Sequence, residues 1–143
     1  MYYANIKDYD IANGEGVRIS LFVSGCRNHC PNCFQPETWD FNYGTEFTEL
    51  TLRELCEKLK PDYINGLTIL GGEPMEPENQ RALTGIVSFI KSQFPEKTIW
   101  LYTGFTYEDL YNPESRGHCE ITDSLLSDID VLVDGPFKQE LHD

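Results

Sequence analysis

The chain has 143 residues, enough for one domain and too few for a complete eight-unit β/α barrel, which takes ~250. Eleven Lys and Arg against 24 Asp and Glu leave a net charge of −13, so there is no broad basic surface for nucleic-acid phosphates or anionic lipid. With 40% hydrophobic and 13% aromatic residues the chain can fill a core, yet no apolar run approaches the ~20 residues of a membrane span.

Residues 1–17 read as a lead-in that ends in a turn, because Asn13, Gly14 and Gly16 all tolerate positive φ. The first residues carry neither a charged leader nor an apolar one, which predicts a cytoplasmic protein. Residues 17–24 are β-branched and aromatic and predict a strand that ends at Gly25, with a cluster of cysteines next in line. Residues 34–50 read as a loop packed by its own aromatics. Thr51 and Glu54 have capping-box spacing, Leu52, Leu55, Cys56 and Leu59 recur at helical intervals, and Pro61 stops the helix. Residues 66–70 predict a second strand, running into Gly71-Gly72-Glu73-Pro74. A second helix follows from about residue 78, with Leu83, Ile86, Val87 and Ile90 on one face. Residues 98–103 form a third strand closed by Gly104, short helices fall at 106–111 and 122–127, and a fourth strand at 130–134 is closed by Gly135-Pro136.

Strands alternating with helices predict an α/β protein with a mostly parallel sheet and right-handed crossovers. Glycine closes every predicted strand, at 25, 71, 104 and 135. Ligands of such sheets bind beyond the carboxyl ends of the strands, so these four positions should share one rim.

Cys26, Cys30 and Cys33 have C-x3-C-x2-C spacing, and three thiolates on one tight loop can converge on a metal centre. A structural zinc site wants four ligands, and Cys56 and Cys119 do not form a second pair. A redox pair leaves the third cysteine unexplained. An iron–sulfur cluster takes thiolates and, with three from this loop, would keep one iron open. Buried packing is the remaining reading. Cys56, on the apolar face of its helix, reads as core, and Cys119 has no assigned role. Arg18 is expected to pair with a surface acid, and Trp39 and Trp100 to pack. His29 sits inside the cysteine loop and is expected beside the centre rather than bonded to it.

C-x3-C-x2-C directly after a first strand resembles the signature of the radical S-adenosylmethionine (SAM) enzymes, and Gly71-Gly72-Glu73-Pro74 resembles their second hallmark. Residues 10–18, 22–26 and 33–39, with Tyr102-Thr103-Gly104-Phe105 and Val133-Asp134-Gly135-Pro136-Phe137, are similar to the activating enzymes of anaerobic (class III) ribonucleoside-triphosphate reductases. The resemblance implies a single radical SAM domain over residues 1–143, folded as a partial (open) β/α barrel. It ends before the Arg-Gly-Ser-x-Asn-Gln-Arg segment usual in the family, which reads as a chain shortened at its C-terminus. It implies one 4Fe–4S cluster on Cys26, Cys30 and Cys33. SAM would be held at adenine by Asn32, Cys33 and Phe34, and at the methionyl amine by Gly71, Gly72 and Glu73. Thr103 and Asp134 would be further SAM or ion contacts.

The implied activity is reductive cleavage of SAM to place a glycyl radical on the reductase, with a donor such as flavodoxin or ferredoxin supplying the electron. An open barrel side suits a substrate that is a loop of another protein. The alternatives are an activase of another glycyl radical enzyme, a small-molecule radical SAM enzyme such as a deazapurine synthase, and a non-catalytic zinc- or cluster-binding module.

Overall fold

A computed structural model of the chain describes residues 1–27, 39–134 and 137–140. In chain order the elements are β1 (Tyr2–Asp10), β2 (Arg18–Val23), β3 (Thr45–Glu46), α1 (Glu49–Leu59), β4 (Gly66–Gly71), α2 (Pro77–Gln93), β5 (Thr98–Thr103), α3 (Tyr107–Tyr111), α4 (Thr122–Ser127), β6 (Val131–Asp134) and β7 (Phe137–Glu140). They build one sheet in the order β3-β1-β2-β4-β5-β6-β7. β2, β4, β5 and β6 are parallel neighbours, as the strand–helix alternation predicts. β1 and β7 run against them on either side. The outermost strands, β3 and β7, do not pair with each other, so the sheet is open.

Successive residues of a strand face opposite sides, and here the two sides differ in chemistry. Ile19, Leu21 and Val23 of β2, Leu67 and Ile69 of β4, Ile99 and Leu101 of β5 and Leu132 of β6 join the buried core. Leu55 and Leu59 of α1, Leu83, Val87 and Ile90 of α2, and Leu125 and Leu126 of α4 complete it. Cys56 packs against the edge of this core, as expected.

The alternate residues are partly polar, and Arg18 departs most from expectation. Only 1% of it is exposed, at the amino ends of the strands, so it is a buried cation rather than half of a surface pair. Its Nε donates to Thr68 Oγ1 (2.8 Å), its Nη1 to Glu15 O (3.1 Å) and Thr98 Oγ1 (2.9 Å), and its Nη2 to Leu67 O (3.0 Å) and Thr98 O (2.7 Å). All five guanidinium N–H groups are thereby used. The planar fork reaches carbonyls on two strands and the loop beneath them, a geometry available because Gly66, beside it, has no side chain. Burial lowers the pKa of Arg18 to about 10. The guanidinium lies over the Trp100 ring, 5.5 Å from its centre, so Trp100 does pack.

Two further expectations are corrected. Residues 2–10 are a strand rather than a lead-in. Asn5, Lys7 and Asp8 are exposed and interrupt the alternation, and two irregularities in the β1–β2 register let the strand follow its partner all the same. The N-cap of α1 is Thr48, not Thr51; Thr51 N donates to Thr48 Oγ1 (3.4 Å) and Thr48 N to Thr51 Oγ1 (3.1 Å). The helix starts early because Phe47 is already tied to Met1 by its backbone (2.8 Å). Beyond the four predicted strands, β7 pairs antiparallel along β6.

Candidate active site

The carboxyl ends of β2, β4, β5 and β6 carry Cys26, Gly71 to Glu73, Thr103 and Asp134, and hydrogen bonds join most of these in a row. Val23 O accepts from Gly72 N (2.8 Å), and Gly25 O accepts from Glu73 N (2.8 Å). The loop after β4 is therefore laid directly on the segment that enters the cysteine motif. Both turns need glycine: Gly25 has φ +104° with the Phe41 ring against it, and Gly71 has φ +116°, where a Cβ would lie 2.5 Å from Val23 O. Cys26 is buried, with its amide donating to Trp39 O (3.2 Å). Cys30, Cys33, Asn32, Phe34 and His29 lie outside the described residues.

Glu73 is turned inward and is 1% exposed. Its carboxylate accepts from Thr103 Oγ1 (2.6 Å), Gly104 N (2.7 Å) and Met75 N (2.9 Å). Burial pushes its pKa up, against the pull of those three bonds. Thr103 is thus fixed by Glu73 and sits opposite Asp134 in the β5–β6 register. One oxygen of Asp134 accepts from Tyr107 N at the start of α3 (2.6 Å). The other, Oδ1, is buried and has no hydrogen-bond partner among the described residues. Buried carboxylate oxygens are rarely left so. A recess of about 290 Å³ opens at these strand ends, walled by Gly71, Gly72, Tyr102, Thr103, Gly104 and Val133.

Polar groups of α2 hold this rim from behind, and the sequence reading passed over them. Asn79 donates from Nδ2 to Ser24 O (3.0 Å) and to Glu73 O (3.0 Å). Glu76 is fully buried, and its carboxylate accepts from Arg27 N (2.6 Å) and from Arg116 Nη1 (2.6 Å). Arg27 also pairs with Glu78, whose carboxyl this hydrogen bond holds at about 2. Gln80 donates to Met75 O and Gly117 O and accepts from Thr122 Oγ1 and Cys119 Sγ, which gives Cys119 a packing partner. The signal was present: Asn79 and Gln80 continue, toward the N-terminus, the face of Leu83, Ile86, Val87 and Ile90.

A protein family described as a 4Fe-4S single cluster domain matches residues 12–143. The chain is 39% identical over 141 residues to an anaerobic ribonucleoside-triphosphate reductase-activating protein of Enterobacteria phage T4, covering 99% of this chain and 84% of that one. Proteins of the same name from Vibrio cholerae and Escherichia coli K12 are 38% and 35% identical over all of this chain and 88% and 89% of their own. The chain belongs to the anaerobic ribonucleoside-triphosphate reductase-activating protein family. Within this family its rim can be read as follows. The cysteine loop offers thiolates, the chemistry of a 4Fe–4S single-cluster domain. On the same rim, the recess walled by Gly71, Gly72 and Gly104 and the Asp134 oxygen that has no partner among the described residues could receive a cationic ligand. Among the described residues no helix is long and apolar enough to cross a membrane.

Proposed function

We propose that this protein is a radical SAM activase that places a glycyl radical on an anaerobic ribonucleoside-triphosphate reductase. The observation that carries the reading is the seating of the Gly71–Glu73 loop on the Gly25–Cys26 segment. One 4Fe–4S cluster on Cys26, Cys30 and Cys33, together with SAM, supplies the one-electron cleavage chemistry that ends in a glycyl radical on the partner.

The residues of the chain bind and orient. Gly71 and Gly72 let backbone approach the methionyl amine closely, and the buried carboxylate of Glu73 adds negative potential behind them. Glu73 also fixes Thr103 and the amide of Gly104 on the recess wall. Asp134 Oδ1, which has no partner among the described residues, would find one in a cationic group of SAM or an accompanying ion. Asn32, Cys33 and Phe34 would hold the adenine. The unclosed sheet leaves room for a segment of the reductase to approach. A low-potential donor such as flavodoxin or ferredoxin delivers the electron.

Anaerobic reconstitution with iron and sulfide tests the reading. The expected result is a brown protein with about four irons per chain, which cleaves SAM on reduction and gives a glycyl doublet by EPR when the reductase is added. A colourless protein, or a metal centre that survives replacement of Cys26, Cys30 and Cys33 by Ala, would overturn it. SAM cleavage with no radical on the reductase would favour a small-molecule enzyme.

A further inference from the structure

We infer that Asn79 is a positioning residue that sets the spacing between the cysteine loop and the Gly71–Glu73 loop, and so the fit of SAM across the two; the inference rests on the function proposed above. Asn79 belongs to α2, not to either loop, and it is 1% exposed. A carboxamide nitrogen has two N–H donors in a fixed plane. Here one N–H serves Ser24 O, two residues before Cys26, and the other serves Glu73 O, both at 3.0 Å. The two carbonyls belong to different loops, each just past the end of its strand, where the ladder no longer supplies partners. On the other side of Cys26, the Arg27 amide is held by Glu76, the N-cap residue of α2. Cys26 is therefore flanked on both sides by backbone groups anchored to α2 and its cap; Glu76 also reaches Glu73 O through its own amide (3.2 Å), and Asn79 joins the two loops through a single side-chain amide.

The chemistry of the position admits few substitutes. Aspartate is isosteric but would set a carboxylate against two carbonyl oxygens with nothing to donate. Leucine fills the volume, takes the side-chain donor from Ser24 O and leaves Glu73 O with only its bond from the Glu76 amide. Neither change touches a thiolate, so the cluster ligands stay intact. What changes is the separation of two loops that SAM must span at once, and misplacement by about 1 Å is enough to weaken such a fit.

The test compares Asn79→Asp, Asn79→Leu and Asn79→Ser with the unaltered full chain, all reconstituted anaerobically with iron and sulfide. Iron per chain, the dissociation constant for SAM, and the change in the reduced-cluster EPR spectrum on adding SAM are measured. Iron is expected to stay at the unaltered level. SAM affinity is expected to fall by about tenfold to a hundredfold in the Asp and Leu variants, the factor for one or two lost hydrogen bonds, with a smaller fall for Ser. The spectral change on adding SAM should shrink in parallel. In the cofactor-free chain, hydrogen exchange at the amides of Gly72 and Glu73 should quicken in the Asp and Leu variants.

Unaltered SAM affinity and spectrum would overturn the inference. Loss of iron alongside SAM would also overturn it, since Asn79 would then support the cysteine loop alone. Should the unaltered chain hold a cluster and ignore SAM, the proposed function fails, while the exchange measurement still decides whether Asn79 ties the loops.

Discussion

Replacing Arg18 by Met probes how the sheet is held at its amino ends. Met retains most of the aliphatic volume and removes all five donors. Five bonds from a charged donor are worth roughly 1.5 kcal/mol each at the low end, or about 7.5 kcal/mol together. Two of them, to Thr68 Oγ1 and Leu67 O, lie in fully buried surroundings, and the other three are part-buried. Against this stands the cost of burying the cation. The fall of its pKa from 12.5 to about 10 corresponds to about 3 kcal/mol, which Met recovers. The net loss is on the order of 4 kcal/mol, large beside a typical total of about 5–15 kcal/mol. Urea unfolding of the cofactor-free protein, followed by far-UV circular dichroism, should show a lower midpoint with an unchanged slope. The melting temperature should fall by roughly 8–16 °C, at about 2–4 °C per kcal/mol for a chain of this size. Arg18→Lys should recover only part of the loss, because an ammonium has three donors and no planar fork. A loss below about 1 kcal/mol, or full recovery by Lys, would refute the reasoning.

Burial opposes ionisation of Asp10, but bonds from Ser20, Asn13 and Ala12 and the charge of Lys7 outweigh it and lower its pKa from 3.8 to about 2. A depressed carboxyl pKa stabilises the fold above the unfolded value, and this is lost as pH falls from about 4 through about 2. Asp10→Asn should therefore cost about 2 kcal/mol at pH 7, and the gap between variant and parent in urea titrations should narrow across that acid window. Gly71→Ala must adopt φ +116° with its Cβ against Val23 O; a loss of at least about 1 kcal/mol by thermal melting, with weaker SAM binding by equilibrium dialysis, is expected. Asp134→Asn keeps the acceptor for Tyr107 N and removes a charge whose second oxygen has no partner among the described residues. The cofactor-free protein should melt at the same or a higher temperature, while SAM affinity falls; a variant that binds SAM like the parent would refute the role of Asp134.

The buried strands were legible because their apolar runs are short, β-branched and bounded by glycine. β5 and α4 fall where the sequence places them, and β2, β4 and β6 differ only at their ends. β1 was not legible, since its outer residues meet solvent and its pattern of Asn5, Lys7 and Asp8 makes sense only beside β2. β3 has two residues, too few to carry any period. Arg18 was misread because a charge is ordinarily solvated; its burial depends on carbonyls about fifty and eighty positions away, at Leu67 and Thr98. At the candidate site, spacing marked Cys26 and the family resemblance pointed to Gly71, Gly72, Glu73, Thr103 and Asp134, which the fold brings to one rim. Asn79 and Glu76 were hidden by their place in a Pro-Glu-Asn-Gln stretch that reads as an ordinary helix start.

A single guanidinium laces β2, β4 and β5 together at the foot of the sheet, far from where chemistry would occur. In the proposed function, this brace and the reacting groups are thereby lodged at opposite poles of the sheet. Exchange of a rim side chain such as Asp134 can then alter what the rim binds without melting the scaffold, whereas exchange of Arg18 threatens the scaffold itself.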